Sequence, residues 1–175
     1  MKVFHIAVTG VLAFMTGFFA GSVRTAKKIM KQYDEQRETA DKHQRYEMVY
    51  STWLMAKKYG VPLDAYLMKQ GIHKVVIYGT TEYGFRLYHE LKDTQVEVLY
   101  ALDRNPKYKI PGLKTYRWGD KNEQPPEEQK QSADAVIVSL FLMMDEIEPA
   151  LSEAGYTCII SLEQLIYNLL EKEEE

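Results

Sequence analysis

Cysteine and histidine are scarce in this chain, whose 175 residues include one cysteine and four histidines. Without a second thiol, Cys158 cannot form an intrachain disulfide, which suits a reducing compartment. The histidines lie far apart in the sequence, and no group of His, Cys and Asp has the spacing of a metal site. The sequence therefore predicts neither a disulfide framework nor a metal centre.

Formal charge is absent from residues 3–23, VFHIAVTGVLAFMTGFFAGSV. As a helix this run measures about 31 Å, roughly one hydrocarbon core, so we predict a single-pass transmembrane anchor over residues 1–23 with membrane lipid as its partner. A basic cluster follows it, and the positive-inside rule then places the C-terminal part in the cytoplasm. Two alternatives remain, a cleaved signal peptide with Ala20-Gly21-Ser22 as its small-residue site and a buried core helix.

Small residues recur every fourth position within this run, at Ala13, Gly17 and Gly21. That spacing places small side chains on one helix face and allows two backbones to approach closely. It predicts a homo-oligomer, or packing on another membrane protein. The alternative is that glycine and alanine are simply common in membrane helices.

Glycine and proline are both absent from residues 24–58, which favours a continuous helix as the connector. Its first half is polar on nearly all sides and is typical of a solvated stalk. Its second half has an apolar face at helical spacing, and we predict that this half docks on the globular part. The face consists of Tyr46, Val49, Tyr50, Trp53 and Leu54.

Basic side chains are in short supply in residues 59–175, which carry twelve Lys and Arg against twenty Asp and Glu, a net charge of −8. Residues 24–58 carry nine Lys and Arg against five Asp and Glu, a net charge of +4. An acidic globular part gives no support for a nucleic-acid surface, so we predict no nucleic-acid partner.

Short apolar runs alternate with helical patterns along residues 59–175. The runs predict five strands, at Val75–Tyr78, Val96–Leu102, Leu113–Trp118, Ala133–Leu140 and Cys158–Ser161. The helical patterns fall at Leu63–Gln70, Thr81–Leu91, Met144–Gly155 and Glu163–Leu170. Such alternation implies right-handed parallel crossovers. We therefore predict an α/β domain over residues 59–175, a small Rossmann-like parallel sheet with helices on both faces.

Ligands of such sheets bind at the carboxyl ends of the strands. There, Gly79 and Gly84 supply the first and third glycines of a dinucleotide fingerprint, whereas Thr81 occupies the second position with a side chain that takes the space of a pyrophosphate. Glu82 adds a negative charge that caps the helix dipole but competes with a phosphate. The hydroxyls of Thr80 and Thr81 can still bind a ligand.

Asp103 follows Gly79 by 24 residues, close to the spacing of the acid that binds a ribose diol. The alternative is an aspartate that caps the loop before Asn105. Arg104 either reaches a phosphate or is solvated. The candidate cofactor-binding residues are therefore Gly79, Thr80, Thr81, Glu82, Gly84, Asp103 and Arg104. These residues do not identify the cofactor, for which NAD(P) is one candidate.

Patterns that carry catalysis are missing. No Tyr-x-x-x-Lys pair of a short-chain reductase follows the fourth predicted strand, and no serine lies in a nucleophile elbow. Asp145 and Glu146 are adjacent acids that open a helix, where they are most simply capping charges. We identify no catalytic residue, which favours a role other than that of an enzyme.

Three stretches carry a family resemblance: WLMAKKYGVPLDAYLMKQGIHKVVIYGTTEYGFRLYHEL, VEVLYALDRNP and ADAVIVSL. Over roughly residues 53–170 the chain resembles small Rossmann-like domains of bacterial surface-polysaccharide proteins, and it is similar to the nucleotide-sugar-binding N-terminal domain of sugar acyltransferases. The resemblance implies a nucleotide-sugar or related ligand near Gly79, Thr80, Thr81, Glu82 and Asp103. The sequence contains no hexapeptide repeats of an acyltransferase half.

These observations lead to one preferred hypothesis, a membrane-anchored, non-catalytic Rossmann-like module that binds a nucleotide or nucleotide-sugar weakly, or that acts in assembly or regulation of a surface-polysaccharide or envelope machine. One alternative is an oxidoreductase or epimerase that depends on NAD(P) or a nucleotide-sugar. The other is a structural adaptor without a ligand.

Overall fold

The structure is a computed structural model that describes the backbone of residues 2–106 and 109–171 and the side chains of residues 25–106 and 109–170. The chain divides into two compact units, residues 1–47 and residues 48–175. The first helix, α1 (Lys2–Lys58), contributes to both, and its part from Met48 onward belongs to the second unit. Composition alone places the start of the globular part later, at Tyr59.

In the first unit, the described side chains of α1 from residue 25 to residue 45 are exposed. Pairs four residues apart lie along its surface, with Lys42 Nζ 2.6 Å from Glu38 Oε1 and Lys31 Nζ 3.6 Å from Glu35 Oε1. Such pairs stabilise a solvated helix by about 0.2–0.5 kcal/mol each. The helical, solvated character predicted for this stretch is what the structure shows.

The predicted membrane span, residues 3–23, lies outside the residues whose side chains the structure describes. Among those that it does describe, no helix is both long enough and apolar enough to cross a bilayer. The anchor and the small-residue face of Ala13, Gly17 and Gly21 therefore stay predictions.

The second unit is built around a five-stranded parallel sheet with the order β3-β2-β1-β4-β5. The strands are β1 (Lys74–Tyr78), β2 (Glu97–Asp103), β3 (Thr115–Arg117), β4 (Ala135–Val138) and β5 (Ile159–Ser161). The order reverses between β1 and β4, the two strands that flank the switch point of a doubly wound sheet. The predicted α/β class and the Rossmann-like topology are confirmed.

Helices connect the strands as the alternating pattern predicts. They are α2 (Leu63–Lys69), α3 (Glu82–Leu91), α4 (Glu127–Gln131), α5 (Met144–Glu153) and α6 (Leu162–Glu171), and a 3₁₀ turn at Phe141–Met143 precedes α5. The register pairs Tyr78 with Leu102 on one side and with Val138 on the other, so the carboxyl ends of the three central strands lie level.

The core lies on both faces of the sheet because successive residues of a strand point to opposite sides. Val76 and Tyr78 of β1 are buried in a cluster that includes Ile147 and Leu151 of α5. The last part of α1 is buried through the i, i+4, i+7 set Val49, Trp53 and Ala56.

The burial of that set confirms that the second half of the connector packs on the globular unit. Not every residue of the predicted apolar face is buried, however. Leu54 is 49% exposed, whereas Tyr46 and Tyr50 are half-buried. Ala56 is buried instead, because it lies on the same side of α1 as Val49 and Trp53, and this side is rotated about the helix axis from the predicted face.

Candidate functional site

The turn after β1 depends on two glycines. Gly79 has φ +100°, and a Cβ there would lie 2.5 Å from Ser139 Oγ and 2.8 Å from Leu140 Cγ. A Cβ on Gly84 would lie 2.0 Å from the Gly79 carbonyl oxygen. These are the tight turn and the close helix–strand packing that the first and third fingerprint glycines provide. Both glycines are therefore explained by packing alone.

Ser139 closes the switch point from the other side. It follows β4 and is fully buried, and its one hydroxyl proton is shared between the carbonyl oxygens of Tyr78, at 3.1 Å, and of Gly79, at 3.0 Å. This shared bond connects the end of β4 with the turn after β1. The Ser139 hydroxyl is therefore bonded to the backbone at the carboxyl edge of the sheet.

Asp103, at the end of β2, is buried and bound within the protein. Its Oδ2 accepts the backbone N–H of Thr80 at 2.7 Å and the Thr80 hydroxyl at 2.9 Å, and its Oδ1 accepts the backbone N–H of Asn105 at 2.8 Å. This is the loop-capping geometry that the sequence left as an alternative. Three donors already occupy most of the about four acceptor positions of this carboxylate. To accept both hydroxyls of a ribose diol, Asp103 would have to release a donor of Thr80.

A cleft of about 420 Å³ opens beside this turn, between the start of α3 and the loop after β2. Its lining consists of Thr80, Thr81, Glu82, Phe85, Lys109, Ile110 and Pro111. The volume falls in the range of small-molecule sites, about 300–1,000 Å³. The structure thus brings three predicted site residues to one cleft, whereas Gly79, Gly84, Asp103 and Arg104 are not part of its lining.

Glu82 lies in the first turn of α3, as expected, but its carboxylate is also paired with a side chain of the same helix. Its carboxylate accepts hydrogen bonds from Arg86 Nε at 3.2 Å and from Arg86 Nη2 at 2.5 Å. Thr81, the N-cap residue of α3, makes no side-chain cap bond. The hydrogen bonds that Arg86 donates to Glu82 are the main reason why the pKa of Arg86 is raised. Arg86 was missed from sequence, although its i, i+4 spacing from an acid is a recognisable signal.

Arg86 also reaches the last turns of α1. Its Nη1 donates to the Tyr50 hydroxyl at 3.1 Å, and its Cζ lies 4.6 Å from the centre of the Tyr50 ring. Phe85 lines both the carboxyl-edge cleft and a neighbouring groove of about 310 Å³ between α3 and the end of α1. The carboxyl-edge cleft therefore lies next to a groove that α1 helps to form, and Arg86 of α3 contacts Tyr50 of α1.

Arg104 is exposed, and its Nη1 lies 3.5 Å from Glu146 Oε2. The nearby Tyr78 ring packs edge-on against Trp118, with the ring centres 5.8 Å apart. Burial raises the pKa of Tyr78 while the positive charge of Arg104 opposes that shift. Arg104 therefore interacts with an acid of α5 and a buried phenol, and not with the lining of the cleft.

In the described part of the chain, no group of three or more His, Cys, Asp and Glu residues could hold a metal ion. Burial raises the pKa of the half-buried Cys158 thiol, which keeps it protonated and weakens it as a nucleophile.

A second cleft, of about 640 Å³, includes Cys158 and Asp134 in its lining. Asp134 accepts the backbone N–H groups of His73 and Lys74, both at 2.8 Å, at the start of β1. This cleft therefore lies at the amino ends of the strands, on the edge where parallel α/β sheets do not bind their ligands.

Comparison of the chain with protein-family models, with curated proteins and with solved structures finds no significant match in any of the three.

Proposed function

We propose that this protein is a membrane-anchored Rossmann-like module that binds a nucleotide or nucleotide-sugar weakly, catalyses no reaction on it, and serves in the assembly or regulation of a surface-polysaccharide or related envelope machine. The observation that carries the proposal is the cleft at the carboxyl edge beside a glycine turn whose acid, Asp103, is already bonded to Thr80.

The cleft supports binding of a small molecule with a planar or apolar part. Phe85 and Pro111 offer apolar surface, while the Thr81 hydroxyl, Glu82 and Lys109 add polar groups. A ligand in this position lies at the start of α3, whose positive dipole end favours an anion. Glu82 opposes the same anion, and Asp103 has little acceptor capacity left for a ribose. Weak binding follows from these opposing contributions.

The absence of catalysis is supported by what the edge residues already do. Ser139, Asp103 and Thr80 are buried polar side chains at this edge, and all three take part in hydrogen bonds that hold the turn together. A general acid or base must instead reach the substrate with its proton-transferring atom.

The membrane anchor is supported by sequence: residues 3–23 carry no formal charge, and Arg24, Lys27, Lys28 and Lys31 follow them. This pattern favours a C-terminal unit on the cytoplasmic side. The envelope role is supported only by the resemblance of residues 53–170 to domains of surface-polysaccharide proteins.

Calorimetric titration of the full chain in detergent micelles with UDP-sugars and with NAD(P) tests the binding. We expect UDP-sugars to bind with a Kd on the order of 0.1–1 mM. Micromolar NAD(P) binding would overturn the proposal in favour of an oxidoreductase or epimerase. Binding of no nucleotide at all would overturn it in favour of a structural adaptor.

A further inference from the structure

Three side chains form a chain of contacts from the cleft to α1. Glu82, which lines the cleft, bonds Arg86 through two guanidinium nitrogens, and Arg86 bonds the hydroxyl of Tyr50 and lies over its ring. Glu82 and Tyr50 are separated by 32 positions in sequence, so only the fold brings them to the same guanidinium.

The contact with Tyr50 matters because an exposed ion pair is weak by itself. The side chains of Arg86 and Glu82 are 41% and 69% exposed, and such a pair contributes little stability, partly because both side chains must be ordered. Tyr50 supplies a hydrogen bond and a cation–π contact on the other side of the guanidinium. It therefore orders Arg86 in advance, next to Glu82.

Charge in the cleft depends on this arrangement. Glu82 is the one acid and Lys109 the one base in the described lining. If Arg86 is removed, Glu82 stays at the start of α3 as an unpaired negative charge, at the place where the helix dipole would attract a phosphate. With Arg86 in place, the negative charge of Glu82 is partly offset, so Glu82 opposes an anion less than it would alone.

We infer that Arg86, held by Tyr50 of α1, is a specificity-determining positioning residue that makes the cleft tolerate an anionic ligand. Without the guanidinium, Glu82 repels a phosphorylated ligand but not an uncharged one. The inference rests on the proposed nucleotide binding, and it adds that α1 sets the preference of the site for charge.

The test compares charged with uncharged ligands. The full chain in detergent micelles is titrated at low salt with UDP and ADP, and with uridine and adenosine, and binding is followed by NMR. In Arg86→Gln the two diphosphates are expected to bind five- to tenfold more weakly, roughly the effect of one uncompensated charge about 6 Å away, while the nucleosides change less than twofold. The loss shrinks at 0.5 M salt, because screening weakens the repulsion.

Two further variants separate charge from structure. Glu82→Gln in the Arg86→Gln background restores diphosphate binding, because the repelling carboxylate is gone. Tyr50→Leu reproduces part of the loss, about threefold, by releasing the guanidinium. Lys57→Gln is the matched control: Lys57 lies on α1 and pairs with Glu90 of α3 at 2.9 Å, but it lies outside the carboxyl-edge cleft, so its effect stays within twofold.

The outcomes are distinguishable. If the unaltered protein binds neither diphosphates nor nucleosides, the proposed function fails and the inference fails with it. If it binds them and Arg86→Gln leaves the diphosphates unaffected, or weakens the nucleosides equally, the inference alone is overturned.

Discussion

Asp103 is the side chain on which the shape of the edge depends most. Three donors converge on its carboxylate: the backbone N–H and the hydroxyl of the buried Thr80, and the backbone N–H of Asn105. A buried donor that loses its acceptor costs about 1–3 kcal/mol, because water cannot replace the partner. The residue is thus a structural bridge between the ends of β1 and β2, whether or not a ligand is bound.

We therefore expect Asp103→Ala to lower the free energy of unfolding by about 3 kcal/mol. Asp134→Ala is the matched control, since Asp134 also accepts two bonds, from the backbone of His73 and Lys74, but at an exposed position. Its loss should stay near 1 kcal/mol because water can solvate those donors. Urea denaturation of the full chain measures both, and equal losses would contradict the structural role of Asp103.

Arg86 shows what could not be read from sequence. Its partner Glu82 is four residues away and was open to prediction, but Tyr50 is 36 residues away on another helix. Thr80 and Asp103 were both predicted at the edge, yet their bond spans 23 residues, and its consequence for a ribose is a matter of geometry. Residue types and spacing locate the edge, whereas the assignment of each hydrogen bond needs the fold.

Among the elements, β2 is joined to the segment between α5 and β5 by a buried pair of phenols. Tyr100 Oη and Tyr156 Oη are 2.9 Å apart. Burial is the main cause that raises the pKa of both tyrosines, and for Tyr100 the bond to Tyr156 adds to it. In the folded protein both hydroxyls therefore stay protonated beyond pH 10, where those of the unfolded chain ionise.

Stability should consequently fall in alkali. Above about pH 10 the folded chain retains more protons than the unfolded chain, so the free energy of unfolding drops by about 1.4 kcal/mol per pH unit for each such tyrosine. Below that pH the two states bind the same protons and this contribution is constant. Thermal unfolding measured from pH 8 to pH 11 should show the drop.

The double variant Tyr100→Phe/Tyr156→Phe is the control for that experiment. It removes both titrating groups together and leaves no unpaired hydroxyl, so it should lose less stability between pH 8 and pH 11 than the unaltered protein. A remaining slope is expected, because burial also raises the pKa of Tyr78. The same slope in both proteins would contradict the assignment.

The strands, the longer helices and their succession along the chain could be predicted, because each strand is a short apolar run and each longer helix has a periodic face. The first and last residues of the elements could be predicted less well. The strand predicted over Ala133–Leu140 is Ala135–Val138, since Asp134 instead bonds the start of β1 and Ser139 bonds the turn after it. The third strand shortens to Thr115–Arg117, the extent over which it pairs with β2.

For the complete chain, the proposed anchor is the feature most open to test. We expect the full chain to stay in the membrane pellet after carbonate extraction. Leu12→Arg places a charge near the middle of residues 3–23, at a cost of about 2.5–3.5 kcal/mol, and should release part of the protein. Met30→Arg, outside that run, is the matched control and should stay in the pellet.

Two results would contradict the anchor. The first is release of the unaltered protein by carbonate, which would show that it is not anchored. The second is a mature N-terminus near Ala20-Gly21-Ser22 in mass spectrometry, which would identify a cleaved signal peptide.

The contact between Gly84 and the Gly79 carbonyl limits what a glycine turn reveals about a ligand. A Cβ at Gly84 would lie 2.0 Å from that carbonyl oxygen, so no side chain fits there unless the backbone also moves, whereas Thr81 is exposed and tolerates exchange. The polypeptide needs both glycines to close this turn with or without a bound nucleotide. A change of ligand preference would therefore be accommodated at the exposed residue between them and not at the glycines.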